Sequence, residues 1–183
     1  MPYISKYRCS EVFFKLSLMS RVATNLRLMM QRPPRQQYAA ICYRTKKKQG
    51  PVEVLVATSR DTGRWVIPKG WPMQDKKAHQ VAEREAYEEV GVKGRVEKEP
   101  FGIYHYRKTL GNGLKVPVRV QVHVLKVEEC LKNFPEKGSR VLEWVSPQEA
   151  AERVQEQELK ILFLQFAERM QTPHEDDDLK VAG

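Results

Sequence analysis

With 183 residues, 41% hydrophobic and 30% charged, the chain has enough length for one domain with a substantial core and the composition of an ordinary globular protein, which excludes a disordered or fibrous class. No apolar run approaches the roughly 20 residues that a membrane-spanning helix needs. The net charge of +9 favours an anionic partner, because a basic surface raises the encounter rate of phosphate-rich ligands, but it does not choose among nucleotide, inositol phosphate and nucleic acid.

Residues 1–37 are rich in Lys and Arg, have Glu11 as their sole acid and include the breaker pair Pro33-Pro34. They read as a basic appendage: a mitochondrial-type presequence, a docking helix, or a segment before a true start at Met19 or Met29. A catalytic-sized domain is expected over 38–171. The first strands are YAAICYRT (38–45) and VEVLVATS (52–59), apolar and β-branched with the polar turn KKKQGP between them. Over 76–90 the period changes, and Ala78, Val81, Ala82, Ala86 and Val90 recur at helical spacing before Gly91 as a stop. FGIYHYRK (101–108) and VPVRVQVHVLKV (116–127) alternate apolar with polar residues and are joined through Gly111-Asn112-Gly113, a hairpin signal. A last strand at Val141–Val145 leads into a helical region from Pro147 to about Met170, with Pro147 suited to a first turn. The acidic run His174-Glu-Asp-Asp-Asp178 marks 172–183 as a solvated tail. This order predicts an α/β chain of the α+β type, a mixed sheet with helices on its faces. Cys9, Cys42 and Cys130 have no metal-type spacing and cannot all pair, which favours a reducing compartment.

In EREAYEEVG (83–91), Glu85, Glu88 and Glu89 project within one stripe roughly 100° wide. Like charges at this spacing repel by a few tenths of a kcal/mol, roughly, per exposed pair. A solvated face would tolerate that, and is the bland explanation of any Glu-rich helix. Upstream, however, GRWVIPKG (63–70) ends a strand-like run in a glycine loop able to present backbone carbonyls beside the helix. Carboxylates and carbonyls are the hard oxygen donors that suit Mg²⁺.

Gly70 opens, and Arg84-Glu85-Ala86-Tyr87-Glu88-Glu89-Val90-Gly91-Val92 closes in register, the pattern G-x5-E-x7-R-E-U-x-E-E-x-G-U, where U is apolar. The chain thereby resembles the Nudix hydrolases. One position departs: Lys76 stands where the family usually has its first Glu, so Asp75 or Glu83 is expected to partner Arg84 instead. The resemblance implies a Nudix-like mixed β-sheet sandwiched between α-helices, and metal-dependent hydrolysis of a diphosphate linkage by water attack at phosphorus. It implies Mg²⁺, or Mn²⁺, held by Glu85, Glu89 and the Gly70 carbonyl. Glu88 would contact metal-bound water or act as general base, and Arg84 would orient the glutamates. The family takes its base from the helix or from a later loop, for which Glu136 in PEKGSRVLEW (135–144) is the candidate and Glu143 a weaker one; a plain surface glutamate is an equal reading of either.

From Tyr38 to about Val154 the chain is also similar to the diphosphoinositol polyphosphate phosphohydrolase group, whose members cleave diadenosine polyphosphates as well. YAAICYRT, VLVATSRDTGRWVIPKG, GVKGRVEK and VRVQVHVLKV carry this likeness. It implies Arg44, Ser59, Arg60 and Arg119 as phosphate contacts, and Lys69, where the group has glycine, as an added cation at the mouth of the site. The expected partner is a small polyanionic phosphate substrate, with no membrane. Nucleic acid is disfavoured by the absence of a basic motif interleaved with aromatics. Hydrolysis of another nucleoside diphosphate-linked compound, and a catalytically weak Nudix-fold binding module suggested by Lys76, are the alternatives. A cytoplasmic location is expected, a targeting role for 1–37 being the alternative, and the oligomeric state stays open. His105 and His123 read as packed or surface residues, and Trp65, Trp71 and Trp144 as packing.

Overall fold

β1 (Arg35–Thr45) carries both layers of the molecule. Its Ala39 and Ile41 face one core, its Ala40 and Cys42 the other, and all four are fully buried. A strand covered on both sides reads as a continuous apolar run rather than an alternation, as this one does. In this computed structural model, residues 33–46, 50–111 and 113–171 are described. The basic extension as far as residue 32, Cys9, Asn112 and the acidic tail 172–183 lie outside them, and the chain divides between Pro34 and Arg35.

β2 (Val52–Thr58) runs antiparallel to β1 with Tyr43 opposite Val54, and β7 (Lys115–Cys130) runs parallel to it on the other side, with Ala39 opposite Val122. β3 (Trp65–Val66) and β8 (Leu142–Val145) pair with β2, β4 (Lys69–Gly70) with β1, and β5 (Val92–Val96) and β6 (Gly102–Thr109) with β7. The result is a mixed eight-stranded sheet. On one face lies α1 (Ala78–Val90), whose Ala82, Ala86 and Val90 pack against Ala40, Cys42, Leu55 and Leu125. On the other lie α2 (Pro147–Arg153) and α3 (Gln157–Gln171), where Leu159, Leu162, Phe163 and Phe166 form the apolar stripe of an amphipathic helix over Ile41, Val56 and Val120. The sandwich of a mixed sheet between helices is therefore as expected. No helix among the described residues is long and apolar enough to cross a membrane.

Several local expectations change. β1 begins three residues before Tyr38, because Gln37, though polar, is buried and accepts a hydrogen bond from Tyr106 Oη (2.7 Å). β5 is an extra strand whose VKGRV sequence has too few apolar residues to announce itself. The single helical region after Pro147 is two helices. Ser146 caps α2 by accepting from the Glu149 N–H (3.1 Å), and buried Val154 takes extended backbone and bridges to Trp65, which ends it. Trp65 and Trp144 pack at the edges of the cores, but Trp71 is 38% exposed, with the Lys108 ammonium 5.9 Å from its ring centre. His123 is fully buried and His105 sits at the surface beside Glu158.

α1 stops at Gly91, whose φ of 67° lies in the left-handed region and whose N–H returns to the Tyr87 carbonyl (3.1 Å). A Cβ there would fall 2.2 Å from the Phe134 ring. Gly91→Ala combines left-handed strain with overpacking, so a loss of about 2 to 4 kcal/mol of stability is expected in chemical denaturation. A change below about 0.5 kcal/mol would show that this approach is not tight.

Candidate active site

The short strand β4 delivers a bare backbone to the α1 surface. Gly70 pairs with Tyr38 of β1, and a Cβ added to it would stand 1.8 Å from Glu85 Oε1. Only glycine lets the Glu85 carboxylate lie against the chain here. Its neighbour Lys69 donates its backbone N–H to Glu89 Oε2 (3.2 Å). Burial, reinforced by Glu89, Glu88 and Glu136, pushes the Glu85 carboxyl up to about 7. Burial raises Glu89 as well, against the opposing charges of Lys69 and Arg140.

Glu136 is brought to this cluster by its own backbone. After β7 the chain returns past the end of α1, where the Leu131 N–H donates to the Gly91 carbonyl (2.8 Å) and the Glu136 N–H to the Glu88 carbonyl (3.0 Å). Arg140, four residues on, contacts both Glu136 and Glu89, and donates to the Thr58 carbonyl at the end of β2 (3.1 Å). Arg60 reaches the other Glu136 oxygen (3.1 Å). Arg84 pairs with Glu88, not with Asp75 or Glu83, because the i,i+4 position lies directly over it on the helix.

Glu85, Glu88, Glu89, Glu136 and the Gly70 carbonyl offer oxygen only, the donor set that fits Mg²⁺ or Mn²⁺. Burial and like-charge crowding together drive the Glu85 carboxyl up to about 7, and a bound cation would offset both. Among the described residues, no three acidic or imidazole side chains enclose a common point as they stand. Glu88 is turned to Arg84 and Glu89 to Arg140.

Beside the cluster, across Lys69, is a cavity of about 290 Å³ whose wall includes Ser59, Asp61, Arg64, Lys69, Tyr106 and Lys108. The turn after β2 shapes one side: the Ser59 N–H donates to the Arg64 carbonyl (2.8 Å) and the Gly63 N–H to the Ser59 carbonyl (2.9 Å). Arg64 is held by buried Glu156, which stands in the break between α2 and α3. Burial pulls the Lys69 ammonium down to about 8, opposed by Glu89. Cations thus outnumber carboxylates around the cavity, while carboxylates crowd the α1 side.

Of the residues singled out in the sequence, Gly70, Glu85, Glu88, Glu89, Arg84 and Glu136 come together, with Lys69 and Arg60 joining them and Ser59 lining the cavity. Two arginines do not. Arg44 lies near the far end of β1, bonded to its cross-strand neighbour Glu53 (2.9 Å) and stacked over Trp144 (4.1 Å). Arg119, on β7 opposite Gln36, donates to that residue (2.7 Å) rather than to a carboxylate of the cluster. Glu143 pairs with Arg153, away from the cluster. Arg140, Arg64, Glu156 and Tyr106 join the site without a motif to mark them in the sequence. Arg140 alone left a signal, its i+4 spacing from Glu136.

A NUDIX domain model matches residues 34–165. Nudix hydrolase 12, mitochondrial, of Arabidopsis thaliana is 34% identical over 104 residues, 55% of this chain and 51% of that protein. Diphosphoinositol polyphosphate phosphohydrolase 3-beta of Homo sapiens is 28% identical over 123 residues, 66% of this chain and 70% of that one. The chain spans about half the length of the plant relative. Among solved structures, the C. elegans Ap4A hydrolase shares the fold at a TM-score of 0.53 and 17% identity, covering 75% of this chain and 99% of that one. The matched span runs from β1 into α3 and takes in the carboxylate stripe, the bare glycine and the returning loop: the chain belongs to the Nudix family.

Proposed function

We propose that this chain hydrolyses a diphosphate linkage in a small polyphosphorylated molecule with the help of Mg²⁺ or Mn²⁺. The observation that carries this reading is the proximity of four carboxylates, Glu85, Glu88, Glu89 and Glu136, to a cavity walled by Arg64, Lys69 and Lys108, with Lys69 bonded through its N–H to Glu89 and shared between the two. The cavity attracts a polyphosphate and the carboxylates repel it. A divalent cation between them reconciles the two.

Glu85, Glu89 and the Gly70 carbonyl would hold the cation, which when bound neutralises charge on the phosphoryl oxygens and lowers the pKa of water. Lys69 and Arg64 would hold the phosphates from the cavity side, with Ser59 as a neutral donor and Arg60 at the rim. Glu88 or Glu136 would take the proton of the attacking water. Arg84 keeps Glu88 aligned along the helix, and Arg140 and Arg60 keep Glu136 at the site. The substrate is a dinucleoside polyphosphate or a diphosphoinositol polyphosphate, a reading supported by the human relative named above. Another nucleoside diphosphate-linked compound is the alternative.

Purified protein with Mg²⁺ or Mn²⁺ is expected to release phosphate or nucleotide from at least one of diadenosine tetraphosphate, a diphosphoinositol polyphosphate and ADP-ribose. No release from any of them, at millimolar metal and across pH 6 to 9, would overturn the proposal. In the active assay, Glu88→Gln and Glu136→Gln separate the two base candidates. The residue that takes the proton should lose about 10² to 10⁴ in kcat with little change in KM.

A further inference from the structure

Arg140 has a side chain only 5% exposed, and its guanidinium joins three segments far apart in sequence. Nη1 donates to the Thr58 carbonyl, Nε and Nη2 approach Glu136 Oε2 (3.1 Å each), and Nη2 also pairs with Glu89 Oε1. The second oxygen of Glu89 accepts from the Lys69 N–H. Both oxygens of a carboxylate placed to bind metal are therefore already engaged, one of them by a full positive charge. A planar fork can serve two carboxylates and a carbonyl at once; a lysine ammonium in its place could not span them.

We propose that Arg140 is a positioning residue with two linked effects: it is an internal counter-ion that competes with the divalent cation for Glu89, and it fastens the Glu136 loop to α1. The inference rests on the reading above that Glu85 and Glu89 hold a cation. The first effect follows from charge. Without Arg140, the mutual repulsion of Glu85, Glu89 and Glu136 would be offset, among the described residues, by the neighbouring cations Lys69 and Arg60 alone, so the arginine helps keep the cluster assembled before a cation arrives and lowers the net affinity for it. The second follows from geometry. Backbone bonds already hold the two ends of this loop, Leu131 to Gly91 and Val141 to Thr58, and Arg140 adds between them side-chain ties to both α1 and the end of β2.

Arg140→Gln and Arg140→Lys in the full chain test both effects. Mn²⁺ alone is titrated and followed by electron paramagnetic resonance, amide hydrogen exchange is followed over 131–141, and kcat and KM are measured on diadenosine tetraphosphate. Arg140→Gln is expected to bind Mn²⁺ about three- to tenfold more tightly, since a competing charge is gone. Exchange over 131–141 should rise about tenfold or more, and kcat should fall about 100-fold with KM within about threefold. Arg140→Lys keeps the charge but not the fork, so Mn²⁺ affinity should return to near the wild-type value while fast exchange and low kcat persist. Weaker or unchanged Mn²⁺ binding in Arg140→Gln overturns the counter-ion effect; wild-type loop protection and kcat in Arg140→Lys overturn the anchoring. Should Arg140→Gln not fold, Arg140→Lys decides the anchoring by loop exchange. Failure of the wild-type chain to bind Mn²⁺ at all would sink the metal site itself, whereas the exchange measurement would still decide whether Arg140 holds the loop.

Discussion

Glu85→Gln is expected to lower turnover by about 10³-fold or more and, in the same protein, to raise the thermal midpoint of the metal-free form at pH 8. The two changes have one cause. Burial and the neighbouring glutamates push the Glu85 carboxyl up to about 7, from an ordinary value of 4.5. A carboxyl whose folded pKa is raised favours its neutral form. Its contribution to stability is therefore fully present below about pH 4.5 and is lost as pH rises through about 7. At pH 8 the metal-free fold carries a crowded negative charge that a neutral amide of the same shape removes.

The same linkage governs the cation. Mg²⁺ binds the ionised carboxylate, so wild-type affinity should weaken as pH falls below about 7, by up to about tenfold per unit. The thermal shift produced by Mg²⁺ should be large at pH 8, smaller at pH 6, and much reduced in Glu85→Gln at both. Differential scanning fluorimetry with and without Mg²⁺ reads all of this. A Glu85→Gln protein less stable than wild type at pH 8 without metal would contradict the electrostatic account.

The parts of this site that were legible in the sequence are those fixed by local periodicity. Glu85, Glu88 and Glu89 share a face because a helix repeats every 3.6 residues or so, and Gly91 ends that helix by local backbone preference. The paired strands at either side of residue 50 and the hairpin around Gly111 were legible for the same reason. What escaped depends on pairs distant in the chain. Arg64 and Glu156 are 92 positions apart, and Arg140 meets Glu89 across 51. Arg44 shows the converse. Family likeness gave it a phosphate, but register against β2 places Glu53 opposite it, and that carboxylate takes its guanidinium. A strand's pattern tells which residues share a face; only its register tells which neighbours they meet.

Gly70→Ala separates a steric lesion of the site from one of the fold. The added Cβ would meet Glu85 Oε1 at 1.8 Å and Cδ at 2.1 Å, the far end of a flexible side chain, whereas the same change at Gly91 meets an aromatic ring and a left-handed backbone. Gly70 has no positive φ, so alanine there imposes no backbone strain. The carboxylate can swing away and the β4 pairing with Tyr38 can persist. Stability should therefore change by less than about 1.5 kcal/mol. Function should not be spared, because the displaced carboxylate is one proposed metal ligand and the crowded glycine carbonyl is another. Mn²⁺ affinity is expected to fall about tenfold or more and kcat about 100-fold, a loss of the size that follows when a reacting geometry moves by about an ångström. Excess Mn²⁺ should recover only the part of the loss due to affinity. If Gly70→Ala keeps wild-type Mn²⁺ binding and a kcat within about threefold, the contact between Glu85 and the bare backbone is not where the cation sits.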